Sequence, residues 1–225
     1  MPKVIKKRNV QHAGQEENLR GTVDDIRSRI KEQQKLLVIT LGVFLFVLIA
    51  GGGYFIYSKS AGEKAEVFQR DAYRAFYSDG AGLPSANGEN YKKALDLFRK
   101  SYDEKKKADV LLYIAYCQYG LGNYDEAITT LKDLTAKFSD PAIAPLAYYK
   151  LAETYLKKGD QNNAVAALNS IVGLKGIYQD MALMQLAKIF ELQGKVAESR
   201  AKYSELAVKF PTSALAAEAK ARAGQ

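Results

Sequence analysis

Gly122-Asn123-Tyr124-Asp125-Glu126-Ala127 closes one helical pattern and opens another, and the chain repeats it. Gly122, Gly159 and Gly194 are separated by 37 and 35 residues, and the sequence realigns around each of them. Seven and eight residues before the glycines stand Ala115 with Ile114, Ala152 with Leu151, and Ala187 with Leu186. Five residues after them comes a small side chain, Ala127, Ala164 or Ser199, and nine after comes a large one, Leu131, Leu168 or Tyr203. Small residues on both helices let the backbones approach, and the large one fills the space between successive hairpins. The glycine permits the tight turn. One hairpin cannot bury its own apolar stripe, so the pattern predicts a stack.

These residues resemble the tetratricopeptide repeat, whose period is about 34 residues, with glycine between the helices and proline near the end. Gly122 to Ala127 resembles that family's turn, and Phe210-Pro211 fits its closing proline. The resemblance implies repeats at about 108–141, 145–178 and 180–212. An atypical unit at about 63–103 precedes them, with a helix at about 63–78 and Tyr91, Ala94 and Phe98 matching a second helix. Its connection, Gly80 to Asn90, is longer than the family turn and contains Gly82, Pro84 and Gly88. The chain also departs from the family elsewhere: Leu111, Tyr148 and Leu183 stand where Trp is favoured, and Gln118 fills a slot that Tyr155 and Phe190 occupy with rings. After the array, Thr212 and Ser213 supply a cap for a polar closing helix, giving a capping segment at 213–223.

Outward from the repeats, the second strong signal is Leu36 to Tyr57, twenty-two residues without a charge between Lys35 and Lys59. At about 1.5 Å per residue a helix of that length reaches ~33 Å, enough to cross a bilayer core. The reading is an uncleaved signal anchor. A cleaved signal peptide would have a shorter leader and would not continue into Tyr54-Phe55-Ile56-Tyr57. Tyr54 and Tyr57 fall where an interfacial aromatic belt is expected. A lipoprotein anchor is excluded, because no cysteine closely follows the run.

Residues 1–14 show no apolar period and read as a disordered basic tail. From Leu19, the positions Leu19, Val23, Ile26, Ile30 and Leu37 form a helical stripe, with Thr22 as a cap and Asp24 and Asp25 in the first turn. The organisation expected is therefore a basic cytoplasmic segment with a juxtamembrane helix at 1–35, a transmembrane helix at 36–57, and a repeat domain at 58–225. The fold class expected is all-α, one N-terminal transmembrane helix followed by a tetratricopeptide-type α-solenoid of antiparallel helix pairs.

The chain carries 33 Lys and Arg against 25 Asp and Glu. Nine bases and five acids precede the span, so each side has a similar excess and neither is a dense basic patch. Nucleic acid is excluded as the main partner on that distribution. Short leaders rich in Lys and Arg stay in the cytoplasm, which places the repeat domain outside it, in the periplasm of a bacterial inner-membrane protein.

Enzyme chemistry lacks parts. Gly194-Lys195 has no glycine-rich phosphate loop around it, and His12 is the only histidine. The one cysteine, Cys117, falls on an inward helix position, so no disulfide and no thiolate metal site is available. No cofactor or metal is expected. Lys105 to Lys107 read as a solvated turn, and Lys188 with Glu191 as a surface ion pair.

By its resemblance to the repeat family, the first helix of each hairpin lines a binding groove. That implies contacts from Leu112, Tyr116 and Tyr119 in one unit, Tyr149, Glu153 and Leu156 in the next, and Met184, Lys188 and Glu191 in the third. Members that clamp a C-terminal carboxylate place Lys and Asn where this chain has Leu112 and Tyr116, so that use is not expected. The partners expected are other polypeptides. The overall plan also resembles the ancillary periplasmic subunit of the bacterial Sec translocon, which implies translocon components or exported chains as partners. The alternative is a scaffold for a division, pilus or outer-membrane assembly complex.

Overall fold

The structure, a computed structural model, describes residues 9–77, 88–174 and 176–224, without the side chains of 9–20 and 22–24. Among the described residues nine α-helices and no strand occur. The chain divides into two compact units, Met1–Lys59 and Ser60–Gln225.

The first unit belongs to α1, a helix running Asn9–Phe76. Its apolar portion is long and apolar enough to cross a membrane, and none of its most apolar stretch is buried among the described residues. Leu36, Phe46 and Ile49 all stand exposed, which in water would be unfavourable for so large a surface. Thr40 donates its hydroxyl to the Leu37 carbonyl at 3.0 Å, so this polar side chain is satisfied within the helix. Two expectations are corrected here. Residues 9–14 are helical rather than part of a disordered tail, and the helix runs through Thr22 instead of starting there. No proline interrupts this stretch, and extending an existing helix is far easier than nucleating one. Residues 1–8 of the expected tail lie outside the described residues.

The second unit is a stack of helical hairpins. The end of α1 pairs with α2 (Gly88–Glu104), and α3 (Ala108–Gly120) pairs with α4 (Tyr124–Lys137). Then α5 (Ala144–Lys157) pairs with α6 (Gln161–Gly173), and α7 (Gln179–Leu192) with α8 (Val196–Lys209), before α9 (Ala216–Ala223) closes the series. From α2 to α9 each helix packs chiefly on those next to it in sequence, the arrangement of a solenoid. Most of the expected connection Gly80–Asn90 lies outside the described residues, and Gly88–Asn90 already belong to α2.

The turn glycines explain the period. Gly122, Gly159 and Gly194 have φ of 79°, 77° and 72°, the left-handed region in which a Cβ is strained. At each, two amides turn back onto the helix end: Gly122 N–H bonds the Tyr119 carbonyl and Asn123 N–H bonds that of Gln118. The same pair recurs from Gly159 and Asp160 to Leu156 and Tyr155, and from Gly194 and Lys195 to Glu191 and Phe190. These are Schellman closures, which satisfy carbonyls that a helix end otherwise leaves bare.

The repeated small and large residues are all buried. That holds for Ala115, Ala152 and Ala187, for Ala127, Ala164 and Ser199, and for Leu131, Leu168 and Tyr203. The main core runs without a break from Ala72 in α1 to Ile189 in α7, and a second one joins Leu183 and Met184 to Tyr203, Leu206 and Ala219. Between the first hairpin and α3 aromatic rings replace the aliphatic filling: Tyr73, Phe76 and Phe98 of the hairpin and Tyr113 of α3 stack or meet edge to face, with centroids 4.7 to 6.5 Å apart. Ser101 adds a buried hydroxyl that donates to the Ala65 carbonyl at 2.8 Å.

At the far end α9 begins at Ala216, within the expected capping segment 213–223. Ser213 ties it down, its Oγ accepting from Leu215 N–H at 3.1 Å and donating to Asp180 on α7 at 2.5 Å.

Candidate functional site

The first helices of successive hairpins, α3, α5 and α7, line one side of the array and enclose a cavity of about 330 Å³. Tyr119 comes from α3, Tyr149, Glu153 and Leu156 from α5, Leu168 from α6 and Gln185 from α7. The helical spacing of 149, 153 and 156 puts these three on one face of α5. Gln185 Nε2 donates to the Tyr149 hydroxyl at 3.3 Å, joining α7 to α5 across the floor.

Beside this cavity Lys150 reaches from α5 toward α3. Its Nζ lies 5.0 Å from the Tyr116 ring centre and 4.5 Å from that of Tyr119, and it pairs with Glu153 on its own helix. A cation over two rings, with a carboxylate as counter-ion, is a favourable arrangement in a partly desolvated site. Burial pushes the Tyr116 hydroxyl up to about 12, with the Glu153 charge adding to the effect. Burial first and Glu153 second also raise Tyr119 and Tyr149, although the Gln185 hydrogen bond pulls Tyr149 partly back. All three therefore stay neutral at physiological pH and act as hydrogen-bonding groups with a flat apolar face.

The aromatic row continues toward the first hairpin. Tyr113 packs edge to face on Tyr116 at 5.6 Å, and the Tyr77 and Tyr113 hydroxyls share a hydrogen bond of 2.8 Å. Beyond them Gln69 holds Asp109 at 2.7 Å and receives Lys107 at 3.1 Å. Lys107 thus bonds back to α1 rather than simply standing in a solvated turn.

Of the nine residues expected to face a partner, five are brought together: Tyr116, Tyr119, Tyr149, Glu153 and Leu156. Four are not. Leu112 and Met184 are each only 3% exposed and belong to the two cores, so they offer no surface. Lys188 lies 3.8 Å from Glu218, and Glu191 accepts from the Tyr203 hydroxyl at 3.1 Å and from Arg222 at 3.0 Å. Both are therefore spent on holding α9 instead of pairing with each other. Lys150 and Gln185 were not among the expected residues. The i, i+3 spacing of Lys150 and Glu153 was visible in the sequence, but nothing there signalled that the lysine would cross to the tyrosines of α3.

Hairpins stacked in one dimension, with a groove along their first helices, define an α-solenoid. Residues 88–147 match the tetratricopeptide repeat family, and so do 146–174 and 181–213. These stretches of the chain are tetratricopeptide repeats, a protein-binding scaffold. Among solved structures, the MamA protein is 18% identical, with 72% of this chain and 86% of that one covered and a TM-score of 0.53. The structure described as MamA 41-end from Desulfovibrio magneticus RS-1 is 16% identical, with 72% and 86% covered and a TM-score of 0.53. At such identities the likeness is one of fold. No curated protein matches the sequence. The resemblance to the translocon subunit finds no support among these matches, which bear on the repeats alone.

Proposed function

We propose that this chain is a membrane-anchored scaffold that holds other polypeptides in the groove of α3, α5 and α7. The observation that carries the reading is the set of tyrosines, Tyr116, Tyr119 and Tyr149, gathered around Glu153 on the ligand-facing helices of a protein-binding fold. Tyrosine offers large contact area at low entropic loss, which is why it is enriched at binding hot spots. The repeat fold is generally non-catalytic, so the action is binding and placement.

The exposed apolar helix supports anchoring, since the large apolar side chains of Leu36–Tyr57 stand exposed among the described residues. The basic leader supports a bacterial inner-membrane protein with its repeats in the periplasm. In that setting exported chains near the Sec translocon are the partners the overall plan resembles, and a scaffold for an envelope machine is the alternative.

Photo-crosslinkers placed at Tyr116 and Tyr149 in cells test all of this together. Capture of nascent exported chains and translocon components is the expected result. Capture of division, pilus or outer-membrane assembly proteins alone would select the scaffold reading, and capture of no polypeptide would remove the groove assignment. A reporter fused after Gln225 that is active only in the cytoplasm would overturn the orientation.

A further inference from the structure

The join between α6 and α7 is built unlike the others. α6 ends at Gly173 and α7 starts at Gln179, and Tyr178 between them has φ of 77°. Among the described residues it is the one non-glycine residue in the left-handed region, where a bulky side chain is strained. The stack does not demand this conformation. The array passes from α4 to α5 through Pro141 and from α8 to α9 through Pro211, and neither connection contains a left-handed residue. Glycine would adopt the same backbone without strain, yet the position holds a tyrosine.

Two features fix Tyr178 in place. The next residue, Gln179, donates through Nε2 to the Val172 carbonyl at 2.8 Å and to the Leu174 carbonyl at 2.6 Å, tying the start of α7 to the end of α6. The Tyr178 carbonyl accepts from Ala182 N–H at 3.0 Å in the first turn of α7. Surroundings that over-determine a residue keep its strain from relaxing, and such strain gathers at functional sites. What they hold here is a half-buried ring that packs against the main core, as the rings of Tyr116 and Tyr149 do. Burial first, then Glu153, Tyr77 and Tyr178 raise the Tyr116 hydroxyl, so Tyr178 stands within electrostatic reach of that groove residue. Beside it Ile177 is 70% exposed and Met181 38% exposed. Met181 lies one turn before Gln185, the α7 residue bonded to Tyr149, and so shares its face of the helix.

We infer that Tyr178 is a contact residue of the polypeptide groove, and that its left-handed backbone is retained because it holds the ring there. The inference rests on the proposed polypeptide-binding role of the groove. It adds a residue that the repeat register does not supply, since position 178 precedes the helix that carries the other contacts.

The test uses the full chain in nanodiscs of zwitterionic lipid and, as probe, fluorescein-labelled α-lactalbumin kept unfolded by reduction and carboxymethylation. Fluorescence anisotropy reads the affinity, and far-UV circular dichroism reads Tm. Tyr178→Ala keeps the unfavourable backbone and loses the ring, whereas Tyr178→Gly loses the ring and relieves the backbone. Tyr178→Gly is therefore expected to melt about 2–4 °C above Tyr178→Ala. Both should bind the probe ~10-fold more weakly than the unaltered chain, and Tyr178→Phe, which keeps the ring, within ~3-fold of it. Stability regained without affinity is the distinguishing result, because a purely structural residue would regain both. If Tyr178→Gly recovers affinity along with Tm, Tyr178 only supports the fold and the inference is overturned. Equal Tm for the alanine and glycine variants would show that there is no strain to retain and would overturn it as well. Full affinity in all three Tyr178 variants, with Tyr149→Ala still weakening the probe, would remove Tyr178 from a groove that stands. A probe that Tyr116→Ala and Tyr149→Ala fail to weaken would count against the groove itself, and against the inference with it.

Discussion

Gly120 is the last residue of α3, and a Cβ added there would lie 2.7 Å from two ring carbons of Tyr91 on α2. Gly120→Ala therefore sets two effects against each other. Alanine gains up to ~1 kcal/mol over glycine as a helix former, somewhat less in a last turn. Displacing a packed side chain typically costs about 1–3 kcal/mol. Tyr91 is not free to swing: it packs on the main core and meets Phe76 edge to face at 5.6 Å. The clash should win, leaving the variant less stable by ~1–2 kcal/mol. In a Tyr91→Ala background the obstacle is gone, and the same substitution should become stabilising by ~0.5–1 kcal/mol. The reversal of sign is the prediction, equivalent to a coupling of ~1.5–3 kcal/mol between the two positions. Thermal melts of the full chain in detergent, followed by far-UV circular dichroism, resolve it, because 1 kcal/mol moves Tm by about 2–4 °C in a domain of this size. If Gly120→Ala shifts Tm equally in both backgrounds, Tyr91 does not pack against Gly120 and the reasoning is refuted.

Three further outcomes follow from the same packing. Burial pushes the Cys117 thiol up to about 12, so a disulfide reagent at pH 8 should label it only after denaturant is added; rapid labelling of the native chain would contradict its burial. Arg222→Ala removes the contacts to Glu191 and Glu218 that hold α9. Hydrogen exchange in α9 should then quicken severalfold while α3 to α6 are unchanged, and exchange rising through the whole array would show that α9 is no local cap. Lys202 and Lys209 each bond the Glu205 carboxylate and hold it below the ordinary glutamate range. Its stabilising share is thus complete above about pH 4.3 and is lost as pH falls through its lowered value in the folded chain. Glu205→Gln should flatten that part of the acid-unfolding curve, and an unchanged curve would remove Glu205 from the account.

The repeats were legible because the backbone dictates them. Only glycine sits easily at φ near 75°, and only small residues fit where helices cross, so Gly122, Ala115 and Ala127 write the fold into the sequence. The site was legible in part, because a period says which helix carries a contact but not what covers it. Lys188 and Glu191 fall at the same register as residues that do line the groove, yet their charges pair with Glu218 and Arg222 of α9. Leu112 and Met184 fail for another reason: each is buried in one of the two cores, which the groove register alone does not reveal. The Tyr91–Gly120 contact could not be read, since it belongs to the atypical first hairpin, where the family register gives no guide. Likewise residues 9–14 have no apolar period, and their helicity comes from the helix that follows them.

The nearest-neighbour order of the helices also bears on how the chain becomes structured. When each helix packs on the one just made, the loops to be closed are short and their entropic cost is small, so folding is expected to be fast and local. A chain that emerges amino end first can set its aromatic first hairpin, then add each later one to a surface already formed. A synthesis intermediate halted after α4 or α6 would carry native structure upstream of the halt, with only the last hairpin's face still waiting for its cover.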